Sequence, residues 1–158
     1  MVSRFLFVVY ILLTTCFFSC FQKKAEDVIY LLPKNFEGNV FIIYGQADGV
    51  DTLYEGKSRL LTIDTSGILK TKFPSNYGSQ NNSFYYVDST GRRYPLNYLS
   101  QSNFTSTNNI VVSNKETGNN IDKKNNQKRH FEMLTVGKER NIDSIINLRS
   151  AMMWNKVK

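Results

Sequence analysis

Few side chains in this chain could act as a catalyst or hold a metal ion. His130 is the only histidine among 158 residues, which excludes a histidine-rich metal site and any mechanism that needs two histidines. A lone histidine at the start of a strand is typical of a surface residue. The chain also lacks a phosphate-binding glycine loop, a nucleophile elbow and a zinc-binding helix motif. The sequence therefore predicts no catalytic residue, no metal ligand and no cofactor.

Three carboxylates, Asp48, Asp51 and Glu55, are close enough in the sequence to suggest a calcium loop. They lack the alternate-position oxygen ligands and the glycine placement that such loops use, which favours a solvated turn. Carboxylates that are distant in the sequence could still meet in the fold, as glycoside hydrolysis requires. A small extracytoplasmic hydrolase is therefore the alternative to a non-catalytic protein.

A group of tyrosines is the main candidate for binding. Tyrosine offers a large rigid contact with a polar end, so exposed rings could stack on sugars or contact a protein partner. Alternation along strands places some of these rings inside whatever the function is, so packing in the core and at sheet edges is the alternative interpretation. The candidate binding residues are Tyr77, Tyr85, Tyr86, Tyr94 and Tyr98.

The amino-terminal segment indicates export. Arg4 precedes the apolar run 5–13, and the small Ser19 stands at a suitable cleavage position, which together meet the requirements of a secretory signal peptide. The segment 5–21 is short for a membrane-spanning helix, which needs about 20 mostly apolar residues. We therefore predict a signal peptide over residues 1–19.

The residues before Cys20 resemble the lipobox of bacterial lipoproteins, in which cleavage leaves a lipid-modified cysteine as the new amino terminus. Phe17 stands where that family usually has leucine, and Cys16 is a rival site. The resemblance implies acylation of Cys20, a tether over residues 20–27, and anchoring to a bacterial membrane at its periplasmic face or at the cell surface. An uncleaved anchor and a cleaved signal without lipid are the alternatives, and all three export the domain.

Charge and cysteine content limit the function further. Both cysteines lie in the signal region, so the exported part contains no disulfide and no thiolate metal site. The formal net charge is +7, and most of the excess lies in residues 114–158. This basic segment could contact anionic lipid headgroups or acidic polymers at short range, although a solvated basic face is the alternative. An exported protein is not expected to bind nucleic acid.

Residues 28–158 are predicted to form one β-rich domain. Short apolar runs rich in branched and aromatic residues, bounded by glycine and proline, are typical of strands. Residues 52–54 are predicted as an edge strand, 110–112 as a short strand and 130–136 as the last strand. Hairpins are predicted between 28–32 and 40–44, between 60–63 and 68–73, and between 84–87 and 92–96.

The predicted fold is an antiparallel β-sandwich of about seven short strands with one C-terminal α-helix. Residues 114–129 contain a single branched aliphatic residue, Ile121, and are predicted to form a polar loop. From Asn141 onward the apolar residues recur at helical spacing, which predicts a helix at about 141–155.

Strand runs and turns at 30–33, 38–44, 67–71, Phe73, 85–88 and 91–92 carry a likeness to a known family. With these motifs, the segment 28–96 resembles an uncharacterised family, a domain of unknown function, of exported bacterial lipoproteins. Its motifs are strand runs and turns, so the resemblance implies structure and no particular activity. The segments 38–40 and 64–68 also resemble prealbumin-type and carboxypeptidase-regulatory-type β-sandwich modules, which implies a fold only.

The leading functional interpretation is a non-catalytic, membrane-tethered envelope or surface lipoprotein that acts as a binding or assembly module. Its expected partners are membrane lipid, through acylated Cys20, and a glycan or an envelope protein.

Overall fold

The computed structural model describes residues 24–100, 106–122 and 127–148. The predicted signal peptide, Cys16, Cys20 and the first part of the tether lie outside these residues. Within the described ranges, no helix is long and apolar enough to cross a membrane.

Nine strands make up most of the described chain, and one short helix follows them. A 3-10 turn (Glu139–Asn141) leads into this helix, α1 (Ile142–Asn147). The strands are β1 (Val28–Pro33), β2 (Gly38–Ile43), β3 (Leu53–Glu55), β4 (Ser58–Thr62), β5 (Ile68–Lys70), β6 (Asn82–Val87), β7 (Arg93–Leu99), β8 (Ile110–Asp122) and β9 (Gln127–Lys138).

The strands form one curled, mixed sheet in the order β3-β4-β1-β6-β7-β8-β9-β2-β5. The pairs β1–β4, β1–β6, β2–β5 and β7–β8 are parallel, and the other four pairs are antiparallel. The mainly β class is confirmed, but the antiparallel sandwich of about seven strands is wrong in strand number and direction. The reason is that β1 and β2 are interior strands, and each pairs with a parallel neighbour on one side or on both.

Two of the three predicted hairpins are wrong. β1 does not pair with β2, because β1 lies between β4 and β6 whereas β2 lies between β9 and β5. β4 and β5 likewise belong to different halves of the sheet. The third hairpin is confirmed, with Phe84 opposite Leu96 in the β6–β7 pair. The predicted edge strand is also confirmed as β3, which ends the sheet beside β4.

Gly67 shows why the chain crosses between β4 and β5 instead of folding back. Its φ of +73° favours glycine, and a Cβ atom there would lie 2.5 Å from the carbonyl oxygen of Asn39 in β2. The Gly67 carbonyl in turn accepts a hydrogen bond from the Phe41 amide at 2.7 Å. The turn is therefore pressed against β2, and β5 continues as the parallel neighbour of β2.

The polar loop predicted at 114–129 is wrong, because 110–122 and 127–138 are the paired strands β8 and β9. The segment contains few apolar residues because the end of this hairpin that is farthest from β7 and β2 extends beyond the core. Glu116, Thr117 and Asn119 are exposed there, so the ladder between the two backbones holds the strands together. Gly118 lies against Phe131, whose ring would be 2.5 Å from an added Cβ.

The helix predicted at about 141–155 begins at Ile142 and continues to Asn147, and residues beyond 148 lie outside the described part of the chain. Ile142 is buried, and an added Cβ at Gly137 of β9 would lie 2.5 Å from Ile145. The Asn39 amide donates to the Ile145 carbonyl at 2.9 Å. α1 therefore packs on the outer face of β9 and β2.

The curl of the sheet encloses one core between the inner faces of its two halves. One end of the curl, here called the Lys24 end, is where the chain enters the sheet and where β1, β4 and β6 begin. The opposite end, called the α1 end, carries α1 and the turns 34–37, 64–67 and 88–91. The core comprises Val28, Tyr30, Leu32, Val40, Ile42, Tyr44, Leu61, Ile63, Leu69, Phe73, Phe84, Tyr86, Val112, Leu134 and Val136.

Candidate functional site

The five tyrosines predicted to bind are divided among three places in the structure. Tyr77 and Tyr98 lie at the Lys24 end and are 55% and 46% exposed. Tyr86 and Tyr94 face each other across β6 and β7 toward the α1 end. Tyr85 is half-buried on the outer face of β6. The structure therefore brings these tyrosines together only in part.

The two tyrosines near the α1 end contribute to packing. Tyr86 is buried and its hydroxyl donates a hydrogen bond to the Phe36 carbonyl, and burial raises its pKa to about 12. The Tyr94 hydroxyl donates to Asp88 at 3.0 Å, and the Lys34 amine lies 4.9 Å from the Tyr94 ring centre. These contacts secure the turns at that end.

Tyr85 lies beside an ion pair on the outer face. The Arg93 guanidinium donates two hydrogen bonds to Glu55, at 2.8 and 2.6 Å, and lies 5.9 Å from the Tyr85 ring centre. Glu55 belongs to β3 and Arg93 to β7, so the pair spans the outer face of the three strands between them.

A ladder of aromatic rings runs across the inner face from the core to the surface. Tyr30 of β1 stacks on Phe84 of β6 with ring centres 4.6 Å apart, and Phe84 stacks on Tyr98 of β7 at 5.9 Å. Tyr30 is fully buried whereas Tyr98 is exposed. The ladder therefore holds the exposed Tyr98 ring on a rigid support.

Beneath this ladder lies a buried polar cluster that was not predicted from the sequence. Glu132 is 3% exposed, and its carboxylate accepts hydrogen bonds from Tyr30 at 2.5 Å and from Tyr44 at 3.4 Å. The Lys115 amine lies 3.3 Å from the same carboxylate and donates to the Asn82 side chain at 3.0 Å. These five residues are called the Glu132 cluster below.

A β-bulge in β8 turns Lys115 toward the interior. Ser113 lies opposite Thr135 and Glu116 lies opposite Met133, so two residues, Asn114 and Lys115, face the single intervening residue of β9. Asn114 has a φ of +53°, which asparagine tolerates better than most residues. Bulges redirect side chains in this way.

Burial shifts the pKa values of the cluster. Burial lowers the pKa of the Lys115 amine, although the nearby Glu132 carboxylate opposes this shift. Burial and the Glu132 charge together raise the pKa values of the Tyr30 and Tyr44 hydroxyls. Both tyrosines therefore remain protonated donors to the carboxylate at neutral pH.

The carboxylate of Glu132 is fully engaged within the Glu132 cluster. Both carboxylate oxygens of Glu132 have partners within the cluster. Glu26, which also lies at the Lys24 end, is bonded to Arg59 at 2.6 Å and to Tyr54 at 3.2 Å. Retaining and inverting glycosidases need two carboxylates that face the substrate. The contacts of Glu132 and Glu26 suit a rigid support better than such a pair.

The other candidate residues also have partners. Asp48 pairs with Lys70 at 3.2 Å and Asp51 with Lys72 at 2.6 Å, so these carboxylates form surface ion pairs. The Tyr77 hydroxyl is hydrogen-bonded to Nδ1 of His130. In the part of the chain that the structure describes, no group of three histidine, cysteine or acidic side chains could hold a metal ion.

A signal for part of the cluster was present in the sequence. The run 130–136 was predicted as a strand, and period-two alternation places Glu132 on the same face as the apolar Leu134 and Val136. An acidic residue on an apolar face indicates a buried charge that needs a partner. Lys115 gave no such signal because its inward direction depends on the bulge.

Comparisons with known proteins add a family and a fold. The chain matches no curated protein. It is similar to a crystal structure described as "Putative Lipoprotein from Bacillus anthracis", at 24% sequence identity and a TM-score of 0.56, over 71% of this chain and 70% of that one. The weaker resemblance to prealbumin-type and carboxypeptidase-regulatory-type modules is not confirmed. Residues 24–144 match a family model, and the chain belongs to this family of unknown function (DUF6843).

Proposed function

We propose that this protein is a lipid-anchored, non-catalytic module of the bacterial envelope, which binds its partner through exposed tyrosines at the Lys24 end. The observation that carries the proposal is the position of Cys20, four residues before Lys24, where the sheet begins. The lipoprotein description of the structural neighbour agrees with a lipid anchor. The Glu132 carboxylate is engaged by Tyr30, Tyr44 and Lys115, which favours a binding protein over an enzyme that uses this carboxylate.

The lipid anchor is tested by cysteine substitution in bacteria that export the full chain. Cys20→Ala is expected to abolish labelling by radioactive palmitate and to move the protein from the detergent phase to the aqueous phase. Cys16→Ala is the matched control, and it is expected to leave both properties unchanged. Retention of the label by the Cys20→Ala protein would exclude Cys20 as the anchor.

The binding role is tested with isolated cell envelopes. The Cys20→Ala chain, which removes the proposed lipid, is expected to co-sediment with envelopes through the rings at the Lys24 end. Tyr77→Ser combined with Tyr98→Ser should lower the bound fraction. Leu148→Ser replaces another exposed apolar side chain, 61% exposed after α1, and should not. Equal loss in both variants would argue against a tyrosine surface.

A further inference from the structure

Exposed apolar side chains are concentrated at one end of the molecule. Six large apolar residues are exposed among the described residues, and five of them lie at the Lys24 end. Single exposed apolar residues are ordinary on protein surfaces, but a group at one end marks a contact surface. The five, called the apolar rim below, are Val50, Leu53, Tyr54, Tyr77 and Tyr98.

Two members of the apolar rim flank the place where the chain enters the sheet. The Tyr54 hydroxyl donates to Glu26 at 3.2 Å. The Ala25 amide donates to the Ser79 carbonyl at 2.9 Å, which places the loop that carries Tyr77 beside residues 24 and 25. Rings therefore stand on both sides of the incoming chain.

The chain between Cys20 and Lys24 is too short for any other end of the sheet to reach the anchoring membrane. Four residues span at most about 14 Å when fully extended. β1 ends at Pro33, nine residues beyond Lys24, which corresponds to about 30 Å at roughly 3.3 Å per residue. An anchor on Cys20 therefore brings the Lys24 end toward the membrane and keeps the α1 end away.

The chemistry of the apolar rim suits the interface of a bilayer. A tyrosine has an apolar ring and a polar hydroxyl, and such side chains concentrate at the level of the lipid headgroups. The nearby Lys70 and Lys72 are each paired with an aspartate, whereas Lys24 and Lys57 are exposed at the same end and would be attracted to anionic headgroups. The rim is therefore suited to burial in the interface, beside lysines that can contact the headgroups.

We infer that the apolar rim at the Lys24 end is a membrane-contacting surface, which docks into the interface of the bilayer that holds the lipid anchor. This inference rests on the proposed acylation of Cys20 and identifies the partner of the tyrosine surface as lipid. A short tether makes docking intramolecular, at an effective concentration in the millimolar range, so a weak contact is enough.

The test uses the full, acylated chain in vesicles of phosphatidylethanolamine and phosphatidylglycerol, with no other envelope component. Residues 21–158 contain no cysteine, so one introduced thiol can carry an environment-sensitive fluorophore. Thr52→Cys places the fluorophore beside the apolar rim, and Ser89→Cys places it in an exposed turn at the α1 end. The expected result is a blue shift and quenching by spin-labelled lipid at position 52, with neither at position 89.

Matched variants then separate docking from anchoring. Val50→Ser with Tyr77→Ser is expected to remove the shift at position 52 while the acyl mass and the vesicle association remain. Leu148→Ser should leave the shift intact. Circular dichroism confirms that each variant is folded.

The outcomes distinguish the two proposals. An acylated chain without a blue shift at position 52 overturns membrane docking and leaves the anchor in place. If the Cys20→Ala chain nevertheless binds isolated envelopes through Tyr77 and Tyr98, its partner is a glycan or a protein instead of lipid. Absence of any acyl group on Cys20 overturns the anchor itself.

Discussion

Glu132 and Lys115 place opposite charges inside the core, where solvent screens them little. Their side chains are 4% and 12% exposed, whereas those of the surface pair Asp51 and Lys72 are 81% and 46% exposed. Removing one partner of a buried pair leaves an uncompensated charge, whereas surface pairs contribute little to stability. These two pairs should therefore respond very differently to the same substitution.

Lys115→Met is expected to lower the free energy of unfolding by about 3 kcal/mol, because it leaves the Glu132 carboxylate buried without its cation. Lys72→Met, the surface control, should cost less than about 1 kcal/mol. Urea denaturation measures both values.

The double variant Lys115→Met with Glu132→Gln removes both charges and should be more stable than the sum of the two single losses predicts. Strictly additive losses would mean that the two side chains do not interact energetically.

The buried tyrosines predict instability at high pH. Burial raises the pKa values of Tyr30 and Tyr44, so above about pH 10 the unfolded chain loses these protons while the folded chain keeps them. The free energy of unfolding then falls as the pH rises, by up to about 1.4 kcal/mol per pH unit for each tyrosine. The lowered pKa of Lys115 has the opposite effect, because it makes the free energy of unfolding rise with pH. This effect is confined to pH values below the unfolded pKa of 10.5.

Urea midpoints at pH 9, 10 and 11 test this behaviour. The midpoint is expected to fall most steeply in the last interval, and Tyr44→Phe should reduce that fall by removing one of the titrating groups. A midpoint that does not change between pH 10 and pH 11 would contradict the assignment.

At the scale of the elements, the two aspartate-to-glycine turns show what local sequence can specify. In both turns the aspartate carbonyl accepts a hydrogen bond from the glycine amide, at 3.1 Å for Asp64 and Gly67 and at 3.0 Å for Asp88 and Gly91. The second turn closes the β6–β7 hairpin, but the first sends the chain across the core. The turn residues therefore predicted where each strand ends. Contacts with strands far away in the sequence determine which strands pair.

The bulge in β8 could not be predicted from the sequence either, because β8 pairs with β9 through polar residues. Asn114 adopts a left-handed conformation at φ +53°, which costs L-residues about 1–2 kcal/mol and is least tolerable for a β-branched side chain. Asn114→Val is therefore expected to be less stable than Asn114→Gly by about 1–2 kcal/mol, as measured by thermal unfolding.

Deletion of Asn114 tests the register of the bulge. Without Asn114, Lys115 alone would lie between the pairs Ser113–Thr135 and Glu116–Met133, so alternation keeps its side chain on the inner face. We expect amine-reactive reagents to modify Lys115 as slowly in the deletion variant as in the parent chain. Faster modification in the deletion variant would contradict the assigned bulge.

At the scale of the whole molecule, the sequence predicted the β class, the β6–β7 hairpin, the edge strand and the start of the helix, because these depend on local periodicity and turn residues. The parallel pairs and the Glu132 cluster depend on contacts between residues far apart in the chain. Tyr30 and Glu132, for example, are separated by 102 positions, and no local pattern links them.

The sheet order also predicts which parts of the molecule open first. β9 lies between β8 and β2 and is mostly buried, whereas β3 is exposed along its whole length and ends the sheet. Amide exchange is therefore expected to be slowest at Leu134 and Val136 and fastest in β3, as hydrogen–deuterium exchange by NMR can measure. Comparable protection of the two strands would contradict the assigned sheet order.

The two strands that end the sheet, β3 and β5, are only three residues long. Unpaired strand edges are templates on which neighbouring chains add strands and aggregate, and short edges offer few hydrogen bonds for this purpose. Under the proposed lipid anchor, copies of this chain would meet at high local density on one membrane. Short edges would allow many copies to share one surface without polymerising.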